Sequence, residues 1–182
     1  MDYAEQRWDI PSKISGIQGM RLFELKEKIR TNPEIASFVR ALFNRHMGKC
    51  QSNNIEIYFF HNRTHARDML KYLHDLGWQV LQYTPSKDGR CFQYENYELP
   101  NAPSAHSVIG QEFDRVATVI DEAFYYADDG ELLSKSIPGE TPNFYPQEKM
   151  LFQILTRTRK KIALIIVNNT TVLNRCLEIL NG

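Results

Sequence analysis

Apolar residues occur along the chain in two spacings, one typical of strands and one typical of helices. Nearly continuous apolar runs predict strands at residues 55–60, 78–83, 116–120 and 162–167. Apolar residues three or four positions apart predict amphipathic helices at residues 33–43, 61–76, 146–159 and 169–180. Because strands buried on both faces of a parallel sheet read as continuous apolar runs, the chain is predicted to be a three-layer α/β/α fold with a mostly parallel sheet.

Residues that favour helix starts indicate where two of these helices begin. Thr31 or Asn32 is predicted to cap the first helix, and Thr170 or Thr171 the last. Arg30 therefore comes just before a helix, in a turn from which its side chain can reach a ligand.

The segments between these elements are rich in glycine, proline and polar residues. Residues 1–20 show no sustained period and are interpreted as a linker or an arm, which leaves one domain at residues 21–182. Residues 84–103 are predicted to form a loop or an irregular hairpin, and residues 125–145 a loop.

Composition narrows the class of protein. The 182 residues, 42% of them hydrophobic, suffice for one core. A formal net charge of zero argues against a protein that coats nucleic acid electrostatically, but it leaves room for a local basic groove. Three separated cysteines without a C-x-x-C pair disfavour a disulfide framework and a structural zinc site. The chain begins without a signal-peptide pattern and its apolar runs are short, so we expect a cytoplasmic protein with no membrane partner.

A basic cluster separates the third predicted helix from the last predicted strand. It comprises Arg157, Arg159, Lys160 and Lys161, and Arg157 is expected to project from the last turn of that helix. A guanidinium keeps its charge and offers a planar fork of donors, which suits it to binding phosphate oxygens. The alternative is that these residues only solvate the helix end and stabilise its dipole.

Two other groups of residues are candidate metal ligands. His61 and His65 have helical i, i+4 spacing but no third ligand in sequence, so no metal site is predicted there. Asp121 and Glu122 follow a predicted strand, as the acids of a Walker B motif do, yet the sequence has no G-x-x-x-x-G-K-[ST] phosphate loop. A stand-alone magnesium-dependent enzyme that acts on nucleotides or phosphoesters, using these two carboxylates, remains an alternative.

Three segments of the chain are informative together: LKEKIRTNPEI at residues 25–35, SAHSVIGQEFDRV at residues 104–116 and LTRTRK at residues 155–160. Together they resemble the C-terminal motor domain of superfamily 1 helicases, in the bacterial and phage branch related to the Schlafen helicases. The first segment is similar to motif IV, the second to motif V, and the third to the motif VI pattern LTRARK. The order of the segments and the alternation of strands and helices between them match the family over residues 20–180.

The resemblance implies a RecA-like second motor domain that lacks its own phosphate loop. Arg157 is then expected to be an arginine finger on the γ-phosphate of ATP, with Arg30 as a second cation. Gly110, Gln111 and Glu112 are expected to approach the nucleotide, with Glu112 at the ribose. ATP and Mg²⁺ would be held mainly by the N-terminal RecA-like domain of the same polypeptide, outside this chain, so Met1 is interpreted as a boundary and not as the native start.

The resemblance also implies single-stranded DNA or RNA as a partner. Backbone contacts are expected from His106 and Ser107 and from Asn62 and Arg63, reading phosphates and not bases. The chain alone is expected to bind no cofactor or metal and to be inactive. A third interpretation, a non-catalytic interaction domain with a flavodoxin-like sheet, predicts no dependence on nucleic acid.

Overall fold

The computed structural model describes residues 31–85, 96–135 and 145–181. The helices and strands bounded within these ranges follow one another in this order: α1 Pro33–Phe43, β1 Ile55–Phe60, α2 Arg63–Asp75, β2 Gln79–Val80, β3 Phe113–Ile120, β4 Phe124–Tyr126, β5 Leu132–Ser134, α3 Gln147–Leu155, β6 Thr158–Val167 and α4 Thr170–Leu180. Arg30, Cys91 and the predicted arm at residues 1–20 lie outside the described ranges.

The main sheet has four strands in the order β1-β6-β3-β2, and each neighbouring pair is parallel. Residues 162–167 of the central strand β6 are all fully buried, so helices cover the sheet on both faces. Helix α2 packs across all four strands, whereas α1, α3 and α4 pack together on the other face. The predicted α/β fold with a parallel sheet is confirmed.

The first helix follows its sequence pattern closely. The Asn32 side chain accepts a hydrogen bond from the Glu34 N–H at 2.8 Å, as expected of a capping residue. The apolar face of α1 is buried at Ile35, Phe38, Val39 and Leu42. Strand β1 also has its predicted bounds.

The third helix is shorter than predicted. It ends at Leu155 and not at Arg159, and residues 158–161 already belong to β6. The Phe113 N–H donates to the Arg157 carbonyl at 2.9 Å, and Thr158 pairs with Phe113, so ladder hydrogen bonds to β3 end the helix. The expectation that Arg157 projects from the last helical turn is therefore wrong, because Arg157 lies in the turn between α3 and β6.

The caps of two other helices also differ from the prediction. Asn169, and neither Thr170 nor Thr171, caps α4 by accepting a hydrogen bond from the Val172 N–H at 3.0 Å. Helix α2 begins at Arg63 and not at His61, because the Asn62 side chain caps it.

Residues 125–145 are not simply a loop. Strands β4 and β5 form an antiparallel pair, joined by a turn in which Gly130 has φ +81. In the ranges that the structure describes, no helix has the length and apolar character needed to cross a membrane.

Candidate functional site

The strands of the main sheet all run the same way, so the sheet has two chemically distinct edges. We call the edge where the strands begin the amino edge and the edge where they end the carboxyl edge. Of the residues expected to meet a nucleotide, Arg157 and residues 110–112 lie at the amino edge. The residues expected to meet nucleic acid lie at or near the carboxyl edge.

Three segments of the chain meet at the amino edge, at the turn formed by Thr156 and Arg157. The Thr31 hydroxyl donates to the Thr156 carbonyl at 3.1 Å, which joins the start of α1 to this turn. The Arg157 carbonyl accepts from the Phe113 N–H, which joins the turn to the start of β3. Arg30 is outside the described residues, but its neighbour Thr31 is thus bonded to the neighbour of Arg157.

The Arg157 side chain differs from the other arginines that are not fully exposed. Arg63 and Arg157 are half-buried and Arg175 is buried. Arg63 forms an ion pair with Glu122, and Arg175 donates to backbone carbonyls. The Arg157 Nε is buried, and this side chain has no hydrogen-bond or ion-pair partner among the residues that the structure describes. A half-buried guanidinium without a counter-charge is unfavourable, and it is suited to an anion supplied from outside the described residues.

The segment before β3 brings Gly110, Gln111 and Glu112 to the same edge. Gly110 has φ +84, a left-handed conformation that favours glycine, although a Cβ there would meet nothing within 4 Å. The Gln111 N–H donates to the Val108 carbonyl at 3.0 Å, and Glu112 is exposed immediately before β3 begins. The structure thus brings Arg157 and these three residues to one edge of the sheet.

Asn62 and Arg63 lie at the opposite, carboxyl edge. The Asn62 side-chain oxygen accepts from the Thr64 N–H at 2.7 Å, so it is already used in capping α2. The Arg63 guanidinium is paired with the Glu122 carboxylate. Burial lowers the pKa of Arg63, but the hydrogen bond and charge of Glu122 outweigh burial and raise this pKa overall.

His106 and Ser107 lie near the carboxyl edge at the other side of the sheet. The His106 N–H donates to the hydroxyl of Thr84, which follows β2, at 3.1 Å. The His106 ring packs edge-to-face against Tyr145 with 4.5 Å between ring centroids. The strands β1 and β2 are the two outer strands of the sheet. The pair Asn62 and Arg63, which follows β1, is therefore separated from the pair His106 and Ser107, near the end of β2, by the width of the sheet.

Asp121 and Glu122, the alternative magnesium site, have other partners. Asp121 is fully buried and accepts from the Ala123 N–H at 3.1 Å, while Glu122 is paired with Arg63. The pKa of Tyr97 is raised by burial first and then by the charges of Asp121 and Glu122. Within the described ranges, no group of three or more His, Cys, Asp or Glu side chains could hold a metal ion.

Two contacts at this site have no signal in the sequence. The Gln153 side chain donates to the Ala105 carbonyl at 2.7 Å, linking α3 to the segment that carries Gly110 to Glu112. The bond from Thr31 to Thr156 joins residues 125 positions apart. Neither glutamine nor threonine forms a recognisable motif at these positions, so only the tertiary structure reveals the contacts.

Comparison with known proteins adds a distant similarity. No protein-family model matches the chain, and no curated protein sequence matches it. The chain is similar to the solved structure of the C-terminal domain of a possible DNA helicase from Lactobacillus plantarum WCFS1, with 14% identity and a TM-score of 0.41. The similarity covers 78% of this chain and 89% of that one. A likeness of this size assigns neither a family nor an activity.

Proposed function

We propose that this chain is the second motor domain of an ATP-dependent superfamily 1 helicase or translocase acting on single-stranded DNA or RNA. In this proposal Arg157 donates its guanidinium to the γ-phosphate of an ATP molecule that another domain holds. The observation that carries the proposal is the half-buried guanidinium of Arg157, which has no partner among the described residues, at the point where three segments meet.

The chemistry of phosphoryl transfer explains what such an arginine does. The transition state spreads negative charge over the equatorial oxygens of the transferred phosphoryl group, and a positioned arginine stabilises that charge. The backbone contacts of the turn hold the main chain of Arg157 in place, so only the side chain has to adjust when the phosphate arrives. The chain has no phosphate loop, so ATP and Mg²⁺ are held mainly by the other domain.

The remaining residues of the amino edge complete the nucleotide contact. Glu112, exposed beside the start of β3, accepts hydrogen bonds from the ribose hydroxyls, and Gly110 and Gln111 let the backbone approach the nucleotide. Arg30 supplies the second cation.

The carboxyl edge contacts the nucleic-acid backbone. His106 and Ser107 contact it at one end of this edge, and Asn62 and Arg63 contact it at the other. Asn62 keeps its side-chain oxygen on α2 and offers its amide nitrogen to a phosphate. Arg63 exchanges its partner Glu122 for a phosphate, so binding is expected to weaken as salt concentration rises.

The test uses the polypeptide encoded by the complete reading frame. Arg157→Ala is expected to slow ATP hydrolysis by about 10³-fold or more, the usual contribution of an arginine finger. Arg157→Lys is expected to restore only part of the rate, because lysine lacks the planar fork. Phosphate release is measured with saturating single-stranded DNA and, separately, RNA.

The matched control is Arg159→Ala, which removes an exposed arginine two positions away that lies 3.8 Å from Asp114. It is expected to leave hydrolysis unchanged. An Arg157→Ala rate close to that of the unmodified protein contradicts the finger assignment.

Calorimetry on the isolated chain separates this function from the alternatives. In this proposal the isolated chain forms only one side of the nucleotide-binding cleft. Its titration with magnesium and ATP is therefore expected to give no measurable heat. Binding that is lost in an Asp121→Asn variant supports the magnesium-dependent enzyme instead. Absence of any nucleic-acid effect on the complete protein supports an interaction domain.

A further inference from the structure

The stretch from Tyr145 to Arg157, which contains α3, contacts the segment at residues 104–113 at three points. Near the start of α3, the Tyr145 ring packs against His106. On α3 itself, Gln153 donates to the Ala105 carbonyl at 2.7 Å. After α3, the Arg157 carbonyl accepts from the Phe113 N–H at 2.9 Å.

We propose that Gln153 is a positioning residue that couples nucleic-acid binding at His106 and Ser107 to the placement of Arg157. This inference rests on the proposed function and adds a regulatory link within the same site. Gln153 lies in the last turn of α3, four residues before Arg157, and its acceptor Ala105 is the residue before His106.

Ala105 is well placed to transmit a displacement. It is fully buried, and its N–H donates to the Gln82 carbonyl at 2.8 Å beyond the end of β2. Its carbonyl accepts from the half-buried Gln153, so this peptide segment is bonded to the segment after β2 on one side and to α3 on the other. A shift of His106 on contact with a phosphate backbone is therefore transmitted to α3 through the hydrogen bond between Ala105 and Gln153.

Hydrogen bonds hold the turn that contains Arg157 against the end of α3, so that this turn moves with the helix. The Thr156 hydroxyl donates to the Phe152 carbonyl at 2.8 Å, and the Arg157 N–H donates to the Ile154 carbonyl at 3.1 Å. These bonds fix the turn relative to the helix. Movement of the helix therefore changes where the guanidinium lies against the nucleotide.

The test compares three substitutions in the complete protein. Gln153→Met keeps the length of the side chain and removes the donor, Gln153→Glu places an acceptor opposite the carbonyl, and Gln153→Lys keeps a donor. ATP hydrolysis is measured without nucleic acid and with saturating single-stranded DNA or RNA. The readout is the ratio of the stimulated rate to the basal rate.

The Met and Glu variants are expected to reduce this ratio by about five-fold or more, the lower end of typical coupling between sites, while the basal rate stays similar. The Lys variant is expected to retain most of the ratio. Gln79→Met is the matched control, because within the described residues the Gln79 amide donates to the adjacent Val80 carbonyl, at 3.3 Å, and links no separate elements. The control is expected to behave like the unmodified protein.

The result that overturns the coupling is an unchanged ratio in folded Gln153→Met protein, or a parallel change of both rates. If that variant does not fold, the Lys and Glu variants decide, since both place a charge at the same half-buried position. Equal ratios for those two contradict the role of the donor.

The failure of the coupling is distinguishable from the failure of the proposed function. Arg157→Ala protein that hydrolyses ATP at the normal rate, or unmodified protein that nucleic acid does not stimulate, overturns both. An inactive Arg157→Ala variant together with a normal ratio in Gln153→Met overturns the coupling alone.

Discussion

At the scale of single residues, three arginines of the chain differ in which groups bind their guanidinium. Arg175 is buried, and its guanidinium donates to the carbonyls of Ala41 at 3.0 Å and Met47 at 2.9 Å. It thereby satisfies the Ala41 carbonyl in the last turn of α1, which helix geometry leaves without a partner, and a second carbonyl in the segment after the helix. Arg63 is paired with Glu122. Arg157 has no such compensation in the described part of the chain.

This contrast gives a prediction on the isolated chain. Arg175→Met is expected to lower the free energy of unfolding by about 3 kcal/mol, because it leaves buried carbonyls without donors. Arg157→Met is expected to leave the free energy of unfolding unchanged or to raise it by about 0.5 kcal/mol, since the residue is not held by structural partners. Urea unfolding followed by circular dichroism measures both.

If Arg175→Met and Arg157→Met lower the free energy of unfolding equally, the contrast between an Arg157 that serves a ligand and an Arg175 that stabilises the fold is contradicted. Glu178→Gln is the control for Arg175, since it removes only a pair at 3.4 Å with an exposed carboxylate. Such a surface pair contributes about 0–1 kcal/mol.

The sequence identifies these residues unequally. Arg157 could be selected because it lies in a short recognisable pattern between a helical run and an apolar run. The half-burial of its side chain and the lack of a partner depend on the whole fold. For Arg175 the i, i+3 spacing to Glu178 is visible, but the carbonyls it binds belong to residues about 130 positions earlier, which no local pattern reveals.

At the scale of elements, the bounds of a helix or strand are predicted well where a single sequence pattern marks them. Strand β1 is a compact apolar run, and its bounds were predicted correctly. The end of α3 was misplaced because no glycine or proline stops the helix, and the polar start of β6 does not look like a strand. Strands β4 and β5 have three residues each, too few to show an alternating pattern.

Two asparagine caps allow a matched prediction at this scale. Asn169 caps α4, and its amide also donates to the carbonyls of Asp121 and Phe124 at 2.8 Å each. Asn62 is exposed and caps α2 without a comparable buried bond in the described residues. Asn169→Ala is expected to cost about 3 kcal/mol of unfolding free energy and Asn62→Ala about 1 kcal/mol.

Thermal and urea unfolding of the isolated chain measure the difference. Similar losses in the two variants contradict the view that Asn169 holds β3, β4 and α4 together. A loss in Asn62→Ala well above that of a simple cap indicates that its side chain has a further structural role.

At the scale of the whole molecule, Cys176 reports on global unfolding. It is fully buried on α4, and burial raises the pKa of its thiol to about 12. The raised pKa disfavours the thiolate, which is the reactive form. Native protein is therefore expected to react with a thiol reagent only when the core opens.

The measurement uses a variant in which Cys50 and Cys91 are replaced by serine. The rate of labelling at pH 8 is expected to rise with urea in parallel with the loss of helical signal. A variant that also carries Cys176→Ala is the control and is expected not to react. Fast labelling without urea contradicts a core closed around α4.

The molecule as a whole also shows why fold class was easier to predict than the site. Four apolar runs suffice to indicate a parallel sheet, because burial on both faces acts on every strand alike. The order β1-β6-β3-β2, by contrast, depends on which strands pair, and this pairing decides that Glu122 faces Arg63 while Arg157 faces no carboxylate of the described residues.

The parallel direction of the strands has one more consequence. Strand β3 runs from one edge to the other over eight residues, a span of about 26 Å at the usual rise per residue. Charges that far apart are almost fully screened in physiological salt. Two anionic molecules bound at the two edges would therefore not repel each other directly, so an effect of one on the other has to pass through the protein between them.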